Sequence, residues 1–120
     1  MTELHTLALE QTADAVIVID TQGIIRIWNQ AAEHLFEFSA AETIGMSVDL
    51  IIPERLREAH WRGFSLAMAT GKTRLGGAPT RTRALCKSGN RLYVQMSFAV
   101  IRDASGQSVG SVAMARRMDS

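Results

Sequence analysis

Ala15-Val16-Ile17-Val18-Ile19-Asp20-Thr21-Gln22-Gly23-Ile24-Ile25-Arg26-Ile27-Trp28 is the stretch on which the fold turns. Ala15 to Ile19 is a β-branched run and reads as a buried strand. Asp20-Thr21-Gln22-Gly23 is turn chemistry, with Gly23 free to take a positive φ. Ile24 to Trp28 reads as the returning strand, so the segment is a hairpin.

Before this hairpin, Leu4, Leu7, Ala8 and Gln11 are spaced as a short helix. After it, Asn29 is a good N-cap for a helix over Gln30 to Phe36. Ser39-Ala40-Ala41-Glu42 fits a capping box and predicts another short helix, ended by Gly45. Met46 to Ile52 reads as irregular or as one short turn. Pro53 suits the first position of a longer helix, Glu54 favours its dipole, and Gly71 stops it after about Thr70.

Gly76-Gly77-Ala78-Pro79 is expected to interrupt or bend a strand that Thr80 to Cys86 continues. Lys87-Ser88-Gly89-Asn90 is a hairpin turn. Leu92, Val94, Met96, Phe98 and Val100 alternate with Arg91, Tyr93, Gln95 and Ser97, the pattern of a half-buried antiparallel strand. Asp103 to Gly106 turns again, and Val109 to Ala115 is a last strand with Val112 and Met114 on one face. The hairpins must share one sheet to hide their apolar faces. The expected fold is α+β: a five-stranded antiparallel sheet with a helical segment packed across one face. It forms one domain over 1–120, with an N-terminal helix in 1–12 and the core in 13–116.

Bulk properties narrow the function. An apolar content of 47% is that of a globular chain, and a net charge of +1 favours neither nucleic acid nor a membrane surface as partner. Lys72, Arg74, Arg81, Arg83, Lys87 and Arg91 gather locally and read as a solvated strand face. The single cysteine, Cys86, excludes an internal disulfide framework and fits a reducing compartment. No apolar run approaches the roughly 20 residues of a membrane span. A cytoplasmic, soluble domain is expected. No Ser-His-Asp signature, phosphate-binding glycine loop or zinc spacing is present, and Glu54 and Glu58 can pair with neighbouring arginines, so no catalysis is expected of this domain.

One residue stands out chemically. In the helix from Pro53, at about 100° per residue, Ile52, Leu56, Ala59, Gly63 and Ala67 share a side with His60 and Phe64. Arg55, Glu58, Arg62 and Ser65 lie opposite. His60 therefore falls in the apolar stripe, where an imidazole must find a buried hydrogen-bond partner or bind something. Met96 lies on the apolar face of its strand, either as a core filler or as a side chain approaching the same pocket.

The order of elements, with Asp20 to Ile25, Trp28 to Phe36, Ile44-Gly45-Met46, Leu50 to Pro53, Lys87-Ser88-Gly89 and the Asp103 to Gly106 turn, resembles a PAS sensory domain from about Leu7 to Arg116. Pro53 to Gly71 is most similar to the haem-binding PAS domains of bacterial oxygen-sensing histidine kinases and direct-oxygen-sensor phosphodiesterases. That resemblance implies haem b held by His60 as proximal iron ligand, with Phe64 beside it and Arg74 on a propionate. Leu75, Met96, Phe98 and Met114 would line the cavity. Leu66 stands where some relatives carry a second propionate-binding arginine. Thr80 and Ala78 stand where relatives place an oxygen-binding arginine and an iron-binding methionine, and strand alternation points the neighbouring Arg81 to the other face. The ligand implied is a diatomic gas: carbon monoxide, nitric oxide or oxygen. A homodimer is implied too, as is an output domain such as a kinase, cyclic-dinucleotide enzyme, chemoreceptor or transcription factor. The alternative is a metal-free PAS module for dimerisation or for a small apolar metabolite. The light-sensing flavin subfamily carries its cysteine on the helix, whereas Cys86 lies on a strand.

Overall fold

The first hairpin forms where the sequence places it. In the computed structural model, which describes residues 3–118, β1 (Ala15–Asp20) turns back into β2 (Ile25–Trp28). Asp20 organises the turn: its carboxylate accepts from the Gln22 and Ile24 backbone N–H groups at 2.9 and 3.1 Å and from Arg26 Nε at 2.8 Å. Burial works to raise the Asp20 pKa, but these hydrogen bonds outweigh it and hold it below its ordinary value. Asp103 closes the last hairpin in the same way, accepting from the backbone of Ser105 and Gln107.

The helices are α1 (Leu4–Gln11), α2 (Gln30–Phe36), α3 (Ala40–Thr43) and α4 (Glu54–Thr70), with a 3-10 turn over Val48–Ile51. The helix expected within 1–12 starts at Leu4; Met1 and Thr2 lie outside the described residues. Both predicted caps form. Ser39 and Glu42 make the reciprocal capping box. Asn29, fully buried, accepts from Ala32 N–H and Val16 N–H, and donates to the carbonyls of Leu9 and Asp14. One side chain thus caps α2 and ties it to β1 and α1.

The other strands are β3 (Thr80–Leu85), β4 (Arg91–Arg102) and β5 (Ser108–Met118). All five form one antiparallel sheet in the order β2-β1-β5-β4-β3. Its inner face carries Ile17, Ile19, Val94 and Met96, which pack in one core with Trp28 at the end of β2 and with Phe36, Val48 and Ile51 from the helical segment. The central strand β5 presents only small side chains inward, Ser111, Ala113 and Ala115. α4 reaches β5, yet none of its 17 residues is fully buried.

The structure departs from expectation at several points. Ile24 bridges to Ser47 instead of opening β2. Pro53 is the buried N-cap of α4, not its first helical residue. No strand lies between α4 and Pro79: Arg74–Gly77 is a turn, because Gly76 and Gly77 both take positive φ, 61° and 89°. The inward stripe of α4 is also rotated. Leu56, His60, Trp61, Phe64, Ala67 and Met68 are half-buried, while Ala59 and Gly63 are exposed. Large aromatic side chains, not the small residues beside them, set which way the helix faces.

Among the described residues no helix is long and apolar enough to cross a membrane.

Candidate functional site

The inward side of α4 brings three rings together. His60 and Phe64, one turn apart, lie nearly parallel at 13° with centroids 6.3 Å apart. Trp61 stands edge-on to both, 4.8 Å from His60 and 5.6 Å from Phe64. Trp61 and Phe64 pack against the core.

His60 Nδ1 is buried and has no hydrogen-bond partner. An unsatisfied buried polar atom costs roughly 1–3 kcal/mol, so this nitrogen calls for an explanation. Burial pushes the His60 pKa down, and the nearby Asp49 carboxylate only partly opposes this. The imidazole is therefore neutral near pH 7 and keeps a lone pair on its unprotonated nitrogen, the form that ligates metal.

Neither Trp61 nor Asp49 stands out in the sequence as a site residue. The structure makes both central. Trp61 Nε1 donates to Asp49 Oδ1 at 2.7 Å. The far edge of the indole rests on Gly23 so closely that a Cβ there would fall 2.0 Å from Cη2. A buried indole N–H needs an acceptor, which is a general signal, but no local pattern names an acceptor 12 residues earlier.

The remaining expected site residues divide. Phe64, Met96 and Phe98 share the inner side with His60: Met96 is buried, and Phe98 is half-buried against the core. Arg74 is exposed in the turn after α4. Leu75, expected to line the cavity, is instead 44% exposed in that turn, because the two glycines carry the chain away from the sheet. Met114, also expected there, lies on the opposite face of the sheet and is 40% exposed. It pairs with Val16 and Ser97, while its neighbours Ala113 and Ala115 point inward. Thr80 pairs with Met96 on the inner face, and Arg81 faces outward over the Tyr93 ring, 3.9 Å from its centroid.

The basic cluster disperses. Arg83 also lies over Tyr93, at 4.7 Å, and Lys87 pairs with Glu42. Cys86 is buried with its Sγ 3.5 Å from the Leu35 carbonyl oxygen, and burial, then the Glu37 charge, push its pKa up. It is a packed thiol, not a nucleophile.

Among the described residues no group of three or more His, Cys, Asp or Glu side chains comes close enough to hold a metal. A single imidazole suffices when a porphyrin fills the equatorial positions. The buried side chains of β5 on the inner face are small: Ser111, Ala113 and Ala115.

Residues 5–118 match the family model described as the PAS fold. The oxygen sensor protein DosP of Escherichia coli is 28% identical over 110 residues, covering 82% of this chain and 14% of DosP. The sensor protein FixL of Bradyrhizobium diazoefficiens is 46% identical over 57 residues, covering 48% of this chain and 10% of FixL. The chain thus spans a small fraction of these relatives. Among solved structures, the PAS domain of a Colwellia psychrerythraea protein superposes with a TM-score of 0.83 at 24% identity, covering 95% of this chain and 93% of that one. An RNA-binding light-oxygen-voltage receptor superposes with a TM-score of 0.76 at 19% identity, covering 95% of this chain and 32% of the receptor. At these identities the structural likeness concerns the fold alone.

Proposed function

The chain belongs to the PAS family, and from that membership we propose that it is a cytoplasmic sensor domain of a bacterial signalling protein that binds haem b through His60. The observation that carries the proposal is the buried, unpartnered Nδ1 of a neutral imidazole on the inward side of α4. The similarity to an oxygen sensor protein supports it. When bound, haem supplies an iron centre that takes a diatomic gas or changes oxidation state. His60 would hold the iron. Phe64, Met96 and Phe98 would exclude water from the apolar faces, and Arg74, already exposed in its turn, would reach a propionate at the porphyrin's wet edge. The sheet would pass the change to an output domain elsewhere in the parent protein. This domain senses and does not catalyse.

The test is addition of hemin to the purified chain. A Soret band should appear at one haem per chain, and His60→Ala should lose stoichiometric binding while keeping the fold. A variant with the wild-type spectrum and affinity would show that His60 is not the ligand.

A second reading has its own observation. α1 has no buried residue, and Leu4 and Leu7, one turn apart on the same side, are 81% and 39% exposed. That strip supports a metal-free PAS module that pairs with a second copy. Dimerisation is compatible with either reading; the absence of a Soret band would favour this one.

A further inference from the structure

We propose that Trp61 is the positioning residue of the His60 site, tying the imidazole to the β1–β2 turn through Gly23 and to the 3-10 turn through Asp49. The proposal builds on the reading of His60 as the ligand-bearing residue, but its claim concerns the protein without haem. Three constraints meet at one indole. The 2.7 Å bond to Asp49 is a charge-assisted hydrogen bond to a carboxylate. Gly23, at φ +79°, leaves a space only because it has no side chain, and the indole fills it. His60 meets the same ring edge-on at 4.8 Å.

α4 has no fully buried side chain; Trp61 and Phe64 pack it against the core, and Trp61 alone of the two adds a hydrogen bond to another element. Asp20 in turn fixes the turn that carries Gly23, through bonds from Gln22, Ile24 and Arg26. A ligand that shifts the imidazole changes its edge-on contact with the indole. The indole can move only by stretching the Asp49 bond or displacing the Gly23 turn. Trp61 therefore fixes the ring for binding and links its position to two other elements.

The experiment uses the full chain without haem, followed by nuclear magnetic resonance of the Trp61 indole N–H, the His60 ring and the Gly23 amide. In Asp49→Ala, indole N–H exchange with solvent should quicken roughly ten- to a hundredfold, as expected for loss of one such bond. The His60 and Gly23 signals should shift together. Asp49→Asn keeps a carbonyl oxygen as acceptor and should restore all three signals toward wild type. Should Asp49→Ala not fold, Trp61→Phe keeps a ring against Gly23 and removes only the donor; His60 and Gly23 should again shift together. Unmoved His60 and Gly23 signals in a folded variant, or failure of Asn to rescue, would overturn the proposal. Hemin is then added to the wild type. Absence of a Soret band would count against haem binding alone, because the resonance result is obtained without haem.

Discussion

Thr80 sits directly opposite Met96 in the β3–β4 pairing, and both face the core side of the sheet, while Arg81 is turned outward onto Tyr93. The position nearest the proposed pocket from this strand thus offers a hydroxyl and not a cation. A charge-assisted hydrogen bond is worth roughly 1.5–3 kcal/mol, on the order of ten- to a hundredfold in affinity. Haem-loaded protein should therefore take up carbon monoxide readily and hold oxygen weakly or autoxidise fast. Arg81→Ala and Met96→Leu should leave both the ferrous spectrum and gas uptake unchanged. A stable oxygen complex lost in Arg81→Ala would mean that Arg81 reaches the inner face; a six-coordinate ferrous spectrum lost in Met96→Leu would identify an internal ligand.

Stability should depend on pH in a way that reports His60. The ordinary value is 6.5, and burial lowers it in the fold. The unfolded chain therefore takes up this proton at higher pH than the native chain. The contribution is fully present above about pH 6.5 and declines as pH falls toward the folded value, with a slope of at most about 1.4 kcal/mol per pH unit. Asp20 and Asp103 have depressed values, so their contribution disappears only below about pH 4, around their ordinary 3.8. Urea midpoints measured from pH 8 to 5 should show the upper step in wild type and not in His60→Phe. Identical profiles would mean that the imidazole is not held neutral by burial.

Asn29→Ala removes a helix cap and leaves the Val16 N–H and the Leu9 and Asp14 carbonyls short of a partner. The expected loss is about 2–3 kcal/mol, read from the urea midpoint. Asn29→Asp keeps the two accepting bonds and cannot donate, so it should fall between. A loss under about 0.5 kcal/mol for Ala, the range of an ordinary surface change, would show that water replaces the network.

Deleting residues 1–11 removes the exposed leucine strip of α1 together with the Leu9 carbonyl that Asn29 holds. In sedimentation, the shortened chain should need a higher concentration to pair than the full chain. Equal association would place the contact elsewhere on the surface.

Much of this architecture was legible because its causes are local. Asn29, Ser39 with Glu42, and the two turn aspartates act within a few residues of themselves, so their chemistry can be read from adjacent letters. Strand alternation correctly paired Val112 with Met114 on one face. Which face is inward depends on the pairing of Val16 with Met114, nearly a hundred positions apart, and no local pattern carries that. The setting of α4 was hidden for the same reason: its rotation follows from Trp61 resting on Gly23, a contact between a helix and a distant turn. Leu75 escaped because two consecutive glycines were read as a bend in a strand, whereas both positive φ values turn the chain out into solvent. His60 was legible as a residue needing a partner; the absence of any hydrogen bond to its Nδ1 came only with the coordinates.

The shallow seating of α4 has an energetic consequence. A helix of 17 residues with every side chain at least partly open to water is held chiefly by Trp61 and Phe64, and gives up little other apolar contact when it lifts. Its free energy of opening should lie far below that of the strands beside it, whose ladders and buried residues separate only when the whole domain unfolds. The domain thus combines a stiff platform with a loosely latched cover. An event at His60, on the cover, is felt when it works against the Trp61 latch, while the sheet keeps its shape and remains a fixed reference for whatever is attached to it.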